Sequence, residues 1–416
     1  MPPPPPIESS VAGRRDARRQ YAVELADALR VHFGDGPAAR LFFAPGRVNL
    51  MGAHLDYNGG PVMPMPVDRG TLVAARPNGL GRVRLASLRE PGVFDSDALP
   101  TTVTGAWYDY PIGVLAQYRA ADRPGSSEGL DLVFGGDLPI GAGLSSSASI
   151  CVATALALHG CSGERVPLGT AERVGPKLGL QLVEEALQAE RGHVGVQCGI
   201  MDPFAVGLGR PGHLLWLDCR DRSHEHVPLD TERYLVGIVD TGVRRELAAG
   251  AFNERVAQCA ALFDQLRSTD ASEAWLCDVP RARFDDALGG LSDELVRRGR
   301  HVFGELERTH AARTALVRGD VAGFGRAMTA SHESLRDDYQ VSTPELDTLV
   351  DAATAVPGVL GSRLTGAGFG GCTVVLLERE ARDELVEAVG RAYRARFGRE
   401  PVTEFFGGGD GPHELG

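Results

Sequence analysis

The chain has a single lysine, few aromatic residues and no long apolar run. Lys177 is the only lysine among 43 basic residues, and aromatic residues make up 6% of the 416 positions. A protein-kinase strand lysine and a GxxxxGK[ST] phosphate loop both need a lysine at a fixed place, and neither motif occurs. Any phosphate chemistry therefore depends on arginine, metal ions and backbone amides. No run approaches the roughly 18 apolar residues needed to cross a bilayer, so no membrane partner is expected.

Cysteine pairs and positive charge are scarce as well. The seven cysteines include no CxxC spacing and their number is odd, which fits neither a disulfide framework nor a zinc ribbon. The formal net charge of -12 argues against nucleic acid as a partner. The first residues, MPPPPPIESS, lack the basic and apolar regions of a secretory signal. We expect a cytoplasmic protein with a small-molecule ligand, and a monomer by default.

The length of 416 residues predicts two lobes, because single hydrophobic cores stop growing at about 250 to 300 residues. Strand-like runs alternate with helical patterns, which indicates a mixed α/β (α+β) fold. The predicted segments are a disordered lead-in at 1–18, a first lobe at 19–220, a second lobe at 221–407 and a loose tail at 408–416. The predicted elements include strands at 62–66 and 71–75, a strand pair at 213–217 and 235–239, and a helical region from 292 to 332.

A glycine- and serine-rich loop, GGDLPIGAGLSSSAS at 135–149, follows a strand pattern and opens an apolar helix near Ser146. At such a junction the free backbone N–H groups and the helix dipole converge on an anion. A dinucleotide-binding fingerprint fails here because its third glycine is absent. A plain turn with a serine N-cap would need fewer residues. The loop is therefore a candidate phosphate site.

Two further stretches have an unusual composition. GRVNLMGAHLDYNGG, at 46–60, places arginine, histidine, aspartate and asparagine between glycines. GAGFGG, at 366–371, matches a dinucleotide-binding pattern but precedes a strand, so we interpret it as a tight loop that lets a backbone or a phosphate approach closely. Two anion-suited loops and one polar loop together favour phosphoryl transfer.

These stretches, together with CGIMDPFAV and RLTGAGFGGCTVVLL, resemble the signatures of the galactokinase family within the GHMP small-molecule kinases. The resemblance runs in order from about residue 20 to residue 407. It implies a two-lobe GHMP kinase architecture, with a left-handed βαβ unit in the N-terminal lobe and a ferredoxin-like C-terminal lobe. It also implies ATP-dependent phosphorylation of a sugar at its anomeric hydroxyl, in a cleft between the lobes.

On the phosphate side, the resemblance implies that the serine-rich loop wraps the phosphates of ATP. The matching positions are Gly141, Ala142, Gly143, Leu144, Ser145, Ser146, Ser147 and Ala148. Ser147 and Glu190 would hold Mg²⁺, for which a hydroxyl and a carboxylate are suitable oxygen ligands. A closing loop from the second lobe would comprise Gly366, Gly368, Gly370 and Gly371.

On the sugar side, the resemblance assigns catalysis to Asp202 and Arg47. A carboxylate that accepts the hydroxyl proton and a guanidinium that stabilises developing charge both lower the barrier to phosphoryl transfer. The order of proton removal and phosphoryl transfer stays open, since a loose transition state makes a strong base less necessary. The positions implied for substrate binding are Ala53, His54, Asp56, Gly199 and Phe252.

Two of these positions depart from the family pattern. Galactokinases usually have glutamate, associated with the sugar's 6-hydroxyl, where this chain has Ala53, and Phe252 stands where a pocket tyrosine is expected. Losing a hydrogen bond to a charged group costs about 1.5 to 3 kcal/mol, so galactose would be a weakened substrate. Galacturonate, L-arabinose and 6-deoxy sugars are alternatives, because alanine tolerates a C6 carboxylate or a missing C6 group. A further alternative is an ordinary galactokinase in which position 53 has changed by neutral drift.

A second class of function is a non-catalytic sensor that binds sugar and ATP, since relatives of galactokinase serve as regulators. In such a protein the serine loop is expected to carry substitutions that remove its function. In this chain SSSAS, Glu190, Asp202 and Arg47 are all present. We therefore prefer an ATP-dependent sugar kinase with Mg²⁺ as its metal.

Overall fold

Helix α1 (Val11–Phe33) opens the part of the chain that the structure describes. A computed structural model describes residues 11–125, 128–139, 143–170, 172–196, 198–243, 248–268 and 273–415. Buried Ala22, Leu25 and Leu29 recur at helical spacing along α1. The helix begins inside the predicted lead-in at 1–18, so that prediction is wrong for residues 11–18; residues 1–10 lie outside the described residues. No described helix is long and apolar enough to cross a membrane.

The remaining elements alternate between strands and helices along most of the chain. The other α-helices of the described residues are α2 (Asp109–Ala120), α3 (Ser146–Cys161), α4 (Pro176–Gln188), α5 (Met201–Leu208), α6 (Ala248–Leu266), α7 (Arg281–Ala287), α8 (Asp293–Val317), α9 (Val321–Asp337), α10 (Pro344–Thr354) and α11 (Arg382–Phe397). The strands are β1 (Arg40–Asn49), β2 (Pro61–Val62), β3 (Pro64–Pro77), β4 (Val83–Ser87), β5 (Phe94–Ser96), β6 (Leu130–Gly136), β7 (His213–Asp218), β8 (His224–Pro228), β9 (Tyr234–Asp240), β10 (Val359–Thr365), β11 (Cys372–Glu378), β12 (Val402–Phe406) and β13 (His413–Glu414).

A six-stranded sheet in the order β13-β1-β3-β6-β4-β5 organises the first lobe. Strands β4 and β6 run parallel, and α2 lies in the connection between them, which forms a βαβ unit. Phe42 and Phe43 are neighbours in β1, and side chains of successive strand residues point to opposite faces. Phe42 packs in the core that α3 covers, and Phe43 packs in the core that α1 covers. Both faces of the sheet are therefore buried under helices.

The second lobe contains a four-stranded antiparallel sheet in the order β10-β11-β9-β12. In chain order it has a strand, a helical segment, two strands, a helix and a strand, which is the ferredoxin-like arrangement that the resemblance implied. Val239 and Val375 pack against α10 and α11 on one face. On the other face Val374 shares a core with α9 and with Val48 and Met65 of the first lobe. This shared core fixes the two lobes against each other.

A three-stranded sheet, β2-β7-β8, crosses the predicted boundary between the lobes. The boundary between 220 and 221 falls inside the β7–β8 hairpin, so β8 belongs with strands of the first lobe. The predicted pairing of 213–217 with 235–239 is wrong, because β9 lies in the other sheet.

The C-terminal segment also returns to the first lobe. Strand β13 pairs with β1, where Phe43 faces His413 in the ladder. The Glu414 carboxylate accepts hydrogen bonds from the Arg40 guanidinium, at 2.7 Å from Nε and 2.5 Å from Nη2. The predicted loose tail at 408–416 is therefore wrong for its described residues: His413 and Glu414 form an edge strand of the first sheet, and Gly409 donates its N–H to the Pro66 carbonyl oxygen at 2.9 Å.

Candidate active site

A polar cavity of about 260 Å³ lies where β1, the loop after it, α5, α6 and β10 meet. Its lining residues are Arg47, Asn49, Gly52, Ala53, His54, Asp56, Tyr57, Cys198, Gly199, Met201, Asp202, Phe252, Arg363, Gly366 and Ala367. Every position that the resemblance assigned to catalysis or substrate binding is among them. These positions extend from Arg47 to Phe252 in sequence, and the fold brings them together.

Arg47 and Asp202 form a bidentate ion pair on one side of this cavity. Arg47 donates from Nε to Asp202 Oδ1 and from Nη2 to Asp202 Oδ2, both at 2.7 Å. Its remaining Nη1 donates to the carbonyl oxygen of Gly143. The Asp202 side chain keeps 25% of its surface exposed. Since a bidentate pair fixes the plane of the carboxylate, Asp202 is held rigidly while an edge stays open to a ligand.

The serine-rich loop meets the same carboxylate. The Ser145 hydroxyl donates to Asp202 Oδ2. Ser145 has φ 57° and ψ 52°, a left-handed conformation that is strained for a residue other than glycine. This turn places the first N–H groups of α3, a helix of 16 residues, beside the ion pair. An anion at this end of α3 would lie next to Asp202.

The other positions of the predicted phosphate loop divide into three groups. Leu144 and Ala148 have side chains buried in the core, so only their backbone can contact a ligand. Ser146 and Ser147 line a second, apolar cavity, described below. Gly141 and Ala142 lie outside the described residues.

Asp56 occupies a tight site against Gly199. A Cβ atom added to Gly199 would lie 2.1 Å from Asp56 Oδ2, closer than any real contact of that kind. Burial, together with the nearby Asp202 carboxylate, raises the pKa of Asp56 to about 6. The absence of a side chain at Gly199 therefore allows the Asp56 carboxyl group to reach the cavity.

His54 and its aromatic neighbours form another wall. Its Nδ1 lies 2.9 Å from the Tyr57 hydroxyl, which lies 2.7 Å from the Tyr339 hydroxyl. Burial lowers the pKa of His54 well below its ordinary value, so the imidazole is neutral. The Phe252 ring centroid is 6.0 Å from that of His54 and 5.5 Å from that of Tyr57. Phe252 therefore presents an apolar surface where a tyrosine would present a hydroxyl.

Ala53 lies over a buried carboxylate that the sequence did not indicate. Glu305, on α8, is fully buried, and its Oε1 accepts the backbone N–H groups of Gly52 at 3.2 Å and Ala53 at 3.0 Å. His301 Nε2 lies 3.2 Å from the Ala53 carbonyl oxygen. These contacts fix the backbone of the loop, and Ala53 contributes a methyl group as its side chain in the cavity lining.

Glu190 and Ser147 meet near the serine-rich loop. Glu190 lies in a π-helical turn after α4 and is 2% exposed. Burial raises its pKa to about 7, although a hydrogen bond with Ser147 acts in the opposite direction. Among the described residues no three His, Cys, Asp or Glu side chains are grouped to hold a metal ion. One hydroxyl and one carboxylate fit Mg²⁺, which keeps several waters and phosphate oxygens as ligands.

An apolar cavity of about 300 Å³ adjoins the N-terminus of α3. Its lining includes Trp107, Tyr110, Phe134 and Ile150 beside Ser146 and Ser147. The buried Trp107 Nε1 has no hydrogen-bond partner among the described residues. Sequence reasoning assigned no function to these aromatic residues. The three-residue spacing of Trp107 and Tyr110 was the available signal that two of them could lie on one side of a turn.

The GAGFGG loop contributes only its first residues to the polar cavity. Gly366 and Ala367 line it. A Cβ at Gly368 would lie 2.4 Å from the Val341 carbonyl oxygen, and one at Gly370 would lie 2.9 Å from that of Val243. Gly371 donates its N–H to the same Val243 oxygen at 3.1 Å. These three glycines therefore pack against neighbouring backbone, and their predicted closure over phosphates stays a prediction.

Sequence comparisons agree across the chain. The family model described as "Galactokinase galactose-binding signature" matches residues 28–77. Those described as "GHMP kinases N terminal domain" and "GHMP kinases C terminal" match 109–210 and 312–395. The galactokinase of Chloroflexus aggregans is 43% identical over 374 residues, which cover 89% of this chain and 92% of that protein. The human galactokinase is 40% identical over 384 residues, with 90% and 92% covered.

Comparisons of structure point the same way. A crystal structure of Lactococcus lactis galactokinase complexed with galactose superposes with a TM-score of 0.84 at 32% identity, covering 93% of this chain and 98% of that one. A mevalonate kinase superposes with a TM-score of 0.59 at 17% identity, covering 90% and 98%, which indicates a shared fold.

Proposed function

The chain belongs to the galactokinase family of the GHMP kinases, and from this premise we propose that it phosphorylates the anomeric hydroxyl of a sugar bound in the polar cavity. The protein is an ATP-dependent sugar kinase, and galactose is the substrate that its relatives' names indicate. The observation that carries the assignment of the site is the Arg47–Asp202 pair, which joins the polar cavity to the serine-rich loop.

The phosphates of ATP are proposed to lie at the N-terminus of α3. The N–H groups of Ser146 and Ser147 and the helix dipole there favour negative charge. The apolar cavity lined by Trp107 and Tyr110 opens at the same helix end and is of a size and character suited to the nucleotide base. Ser147 and Glu190 would hold Mg²⁺, which when bound neutralises charge on the phosphate oxygens.

The transfer step is proposed to use Asp202 as proton acceptor. The anomeric oxygen attacks the γ-phosphorus, the bond from that phosphorus to the β–γ bridging oxygen breaks, and ADP leaves with the bridging oxygen. The hydroxyl proton passes to Asp202. Arg47 keeps the carboxylate oriented and places positive charge beside the transferring group, which stabilises negative charge in the transition state. Asp56 and His54 would hold other hydroxyl groups of the sugar.

A coupled assay of ADP release tests this function. With Mg–ATP and a sugar, we expect ADP release that depends on both, with no added partner. A non-catalytic sensor would bind both ligands, measured by calorimetry, and release no ADP. A monomer stays a prediction, which sedimentation or light scattering would test.

Replacing Gly199 with alanine is expected to raise the KM for the sugar by about tenfold or more. The new Cβ would overlap Asp56 Oδ2, so the carboxyl group must move away from the substrate. A hydrogen bond to a charged group is worth about 1.5 to 3 kcal/mol, which corresponds to roughly 10- to 150-fold in affinity.

Gly250→Ala is the matched control for Gly199→Ala. A Cβ at this exposed position of α6 would have no neighbour within 4 Å, so KM should stay within twofold of the wild-type value. An unchanged sugar KM in Gly199→Ala would contradict the role of Asp56.

Sugar affinity is expected to fall as the pH drops through about 6. The pKa of Asp56 is raised to about 6, so its carboxylate is present above that pH and protonated below it. If only the carboxylate binds well, the KM for the sugar should rise about tenfold between pH 7.5 and pH 5. The measurement is made at saturating Mg–ATP, so that titration of Glu190 does not add its own pH dependence to the KM for the sugar. Asp56→Asn should show a high KM without this pH dependence, and a wild-type KM independent of pH would contradict the assignment.

A further inference from the structure

A third cavity, of about 630 Å³, lies in the first lobe where the segment after α2, the segment after α3 and the start of α4 meet. Four basic side chains line it, those of Arg123, Arg165, Arg173 and Lys177. Lys177 is the only lysine of a chain whose formal net charge is -12. The acidic protein therefore collects positive charge in one concave region, away from the polar cavity.

The two carboxylates of this cavity lining are already paired with cations. Glu164 Oε2 lies 3.0 Å from His159 Nδ1, and Glu172 Oε1 accepts from Arg165 Nη2 at 3.3 Å. Although burial opposes a positive charge on His159, its hydrogen bonds with Glu185 and Glu164 raise its pKa above the ordinary value. Each carboxylate of the lining therefore has a cationic partner of its own.

Arg123 is held at the cavity wall with a donor to spare. Its Nη2 lies 2.9 Å from an oxygen of Glu185, whose side chain is 7% exposed, and its guanidinium lies 5.8 Å from the centre of the Tyr118 ring. Its buried Nε has no hydrogen-bond partner among the described residues. Buried donors in folded proteins are almost always paired, so this nitrogen is available to a ligand in the cavity.

Arg173 and Lys177 carry the positive charge that is not compensated. Both side chains are exposed, and neither makes an ion pair or a side-chain hydrogen bond within the described part of the chain. Lys177 lies in the first turn of α4, which contains no acidic residue. A cation there is unfavourable, because the helix dipole is positive at the same end. An anion in the cavity would compensate both side chains.

The cavity has room for more than a lone phosphate ion. Its lining also includes the apolar side chains of Val166, Pro167 and Leu178. Cavities of about 300 to 1,000 Å³ are typical of sites for organic ligands. Cations beside apolar side chains therefore fit a phosphate group that is joined to an organic part.

The active site lies at the other end of α4. Lys177 is in the first turn of this helix, and Glu190 is in the π-helical turn that continues it. At about 1.5 Å per residue, the two residues are roughly 20 Å apart. A ligand in this cavity and a ligand at Glu190 can therefore be bound at the same time.

We propose that this cavity binds a phosphorylated small molecule, a phosphate monoester, through Arg123, Arg173 and Lys177. Arginine donates paired hydrogen bonds to phosphate oxygens, and lysine adds a compact positive charge. The inference goes beyond the proposed function and does not depend on it. A free phosphate ion offers the same oxygens, so the two sources are compared directly.

Calorimetric titration with glucose 6-phosphate, inorganic phosphate and glucose tests the inference. The full-length enzyme is first saturated with galactose and Mg–ADP, so that the active site is filled. Glucose 6-phosphate should bind at a single site per chain and more tightly than inorganic phosphate, and glucose should not bind. Equal or tighter binding of inorganic phosphate would overturn the assignment to a monoester. Binding of neither phosphate probe would overturn the inference as a whole.

A pair of double variants tests which side chains bind the phosphate. Arg173→Gln with Lys177→Gln leaves the Arg123–Glu185 pair in place and should lower the affinity for glucose 6-phosphate by about tenfold or more. Arg300→Gln with Arg391→Gln is the matched control, since it removes two exposed charges on α8 and α11. This control should change the affinity by less than about twofold. Equal losses in the two proteins would show that net charge alone attracts phosphate and would overturn the inference.

Discussion

Asp202→Asn is expected to lower kcat by about 10² to 10⁴-fold, the usual range for loss of a general base. Asparagine keeps the size of the side chain and can still accept from Arg47, but it cannot take the hydroxyl proton. The Kd for ATP should change little, because the proposed phosphate contacts come from α3 and Glu190. Rapid-quench measurement of ADP formation gives kcat for the chemical step, and calorimetric titration gives the Kd.

Asp218→Asn provides a matched control for Asp202→Asn. Asp218 also forms a bidentate pair with an arginine, with Arg220 Nε at 3.0 Å and Nη2 at 2.6 Å, but it does not line the polar cavity. Its replacement should keep kcat within about threefold of the wild-type value. If Asp202→Asn retained more than a tenth of the wild-type kcat, proton transfer to Asp202 would not be part of the mechanism.

Glu305→Ala is expected to lower the free energy of unfolding by about 3 to 5 kcal/mol, as breaking a buried ion pair from one side commonly does. The change would leave the buried Arg363 guanidinium and the partly exposed Arg308 guanidinium without this carboxylate, and two backbone N–H groups without an acceptor. Although burial opposes ionisation, the surrounding positive charges hold the pKa of Glu305 below its ordinary value. Urea denaturation measures the loss.

Glu307→Ala is the control for that stability change. Glu307 lies two positions further along α8 and pairs with Arg281 at 3.3 Å, but its side chain is 66% exposed. Exposed pairs contribute about 0 to 1 kcal/mol, so this variant should unfold close to the wild-type midpoint. A Glu305→Ala protein as stable as Glu307→Ala would contradict the description of Glu305 as the anchor of the Gly52–Ala53 backbone.

Local sequence signals predicted most elements but not all of their connections. The tight GAGFGG turn between two strands is confirmed as the loop between β10 and β11. The runs at 62–66 and 71–75 were predicted as separate strands, whereas residues 64–77 form one strand, β3. Strand β3 tolerates Pro64 and Pro66 because neither residue needs to donate an N–H to the ladder. Likewise the region from 292 to 332 contains two helices, with Asp320 capping the second through its side chain.

Pairing between distant segments was the part that sequence patterns could not supply. Strand β13 and the hairpin β7–β8 are short. Their composition does not predict that β13 pairs with β1 or that β7 pairs with β2. The hydrophobic pattern of a strand predicts which of its residues are buried. It does not predict which other strand will pair with it, because that depends on the packing of the whole core. The tail and the lobe boundary were therefore mispredicted, although the fold class is confirmed.

The candidate site was likewise predicted only in part from the sequence. The described positions that the resemblance assigned to catalysis, substrate binding and the metal all lie at the polar cavity or beside the serine-rich loop, whereas Gly368, Gly370 and Gly371 pack against neighbouring backbone. Arg363 and Glu305 were missed, because one lies in an ordinary strand pattern and the other in an amphipathic helix. Their importance comes from a contact between residues 58 positions apart and from the backbone of Ala53, 252 positions away. Two signals for Arg363 were available: it is a charged residue in a buried strand pattern, and it opens the quoted stretch RLTGAGFGGCTVVLL, where it was given no role.

The most direct test of the account is the identity of the product. The enzyme is incubated with Mg–ATP and either galacturonate or galactose, and the mixture is followed by phosphorus and proton NMR. The account predicts a single sugar phosphate, substituted at the anomeric oxygen and formed in equal amount to ADP. Phosphate on another hydroxyl, or ADP with free inorganic phosphate and unchanged sugar, would contradict it.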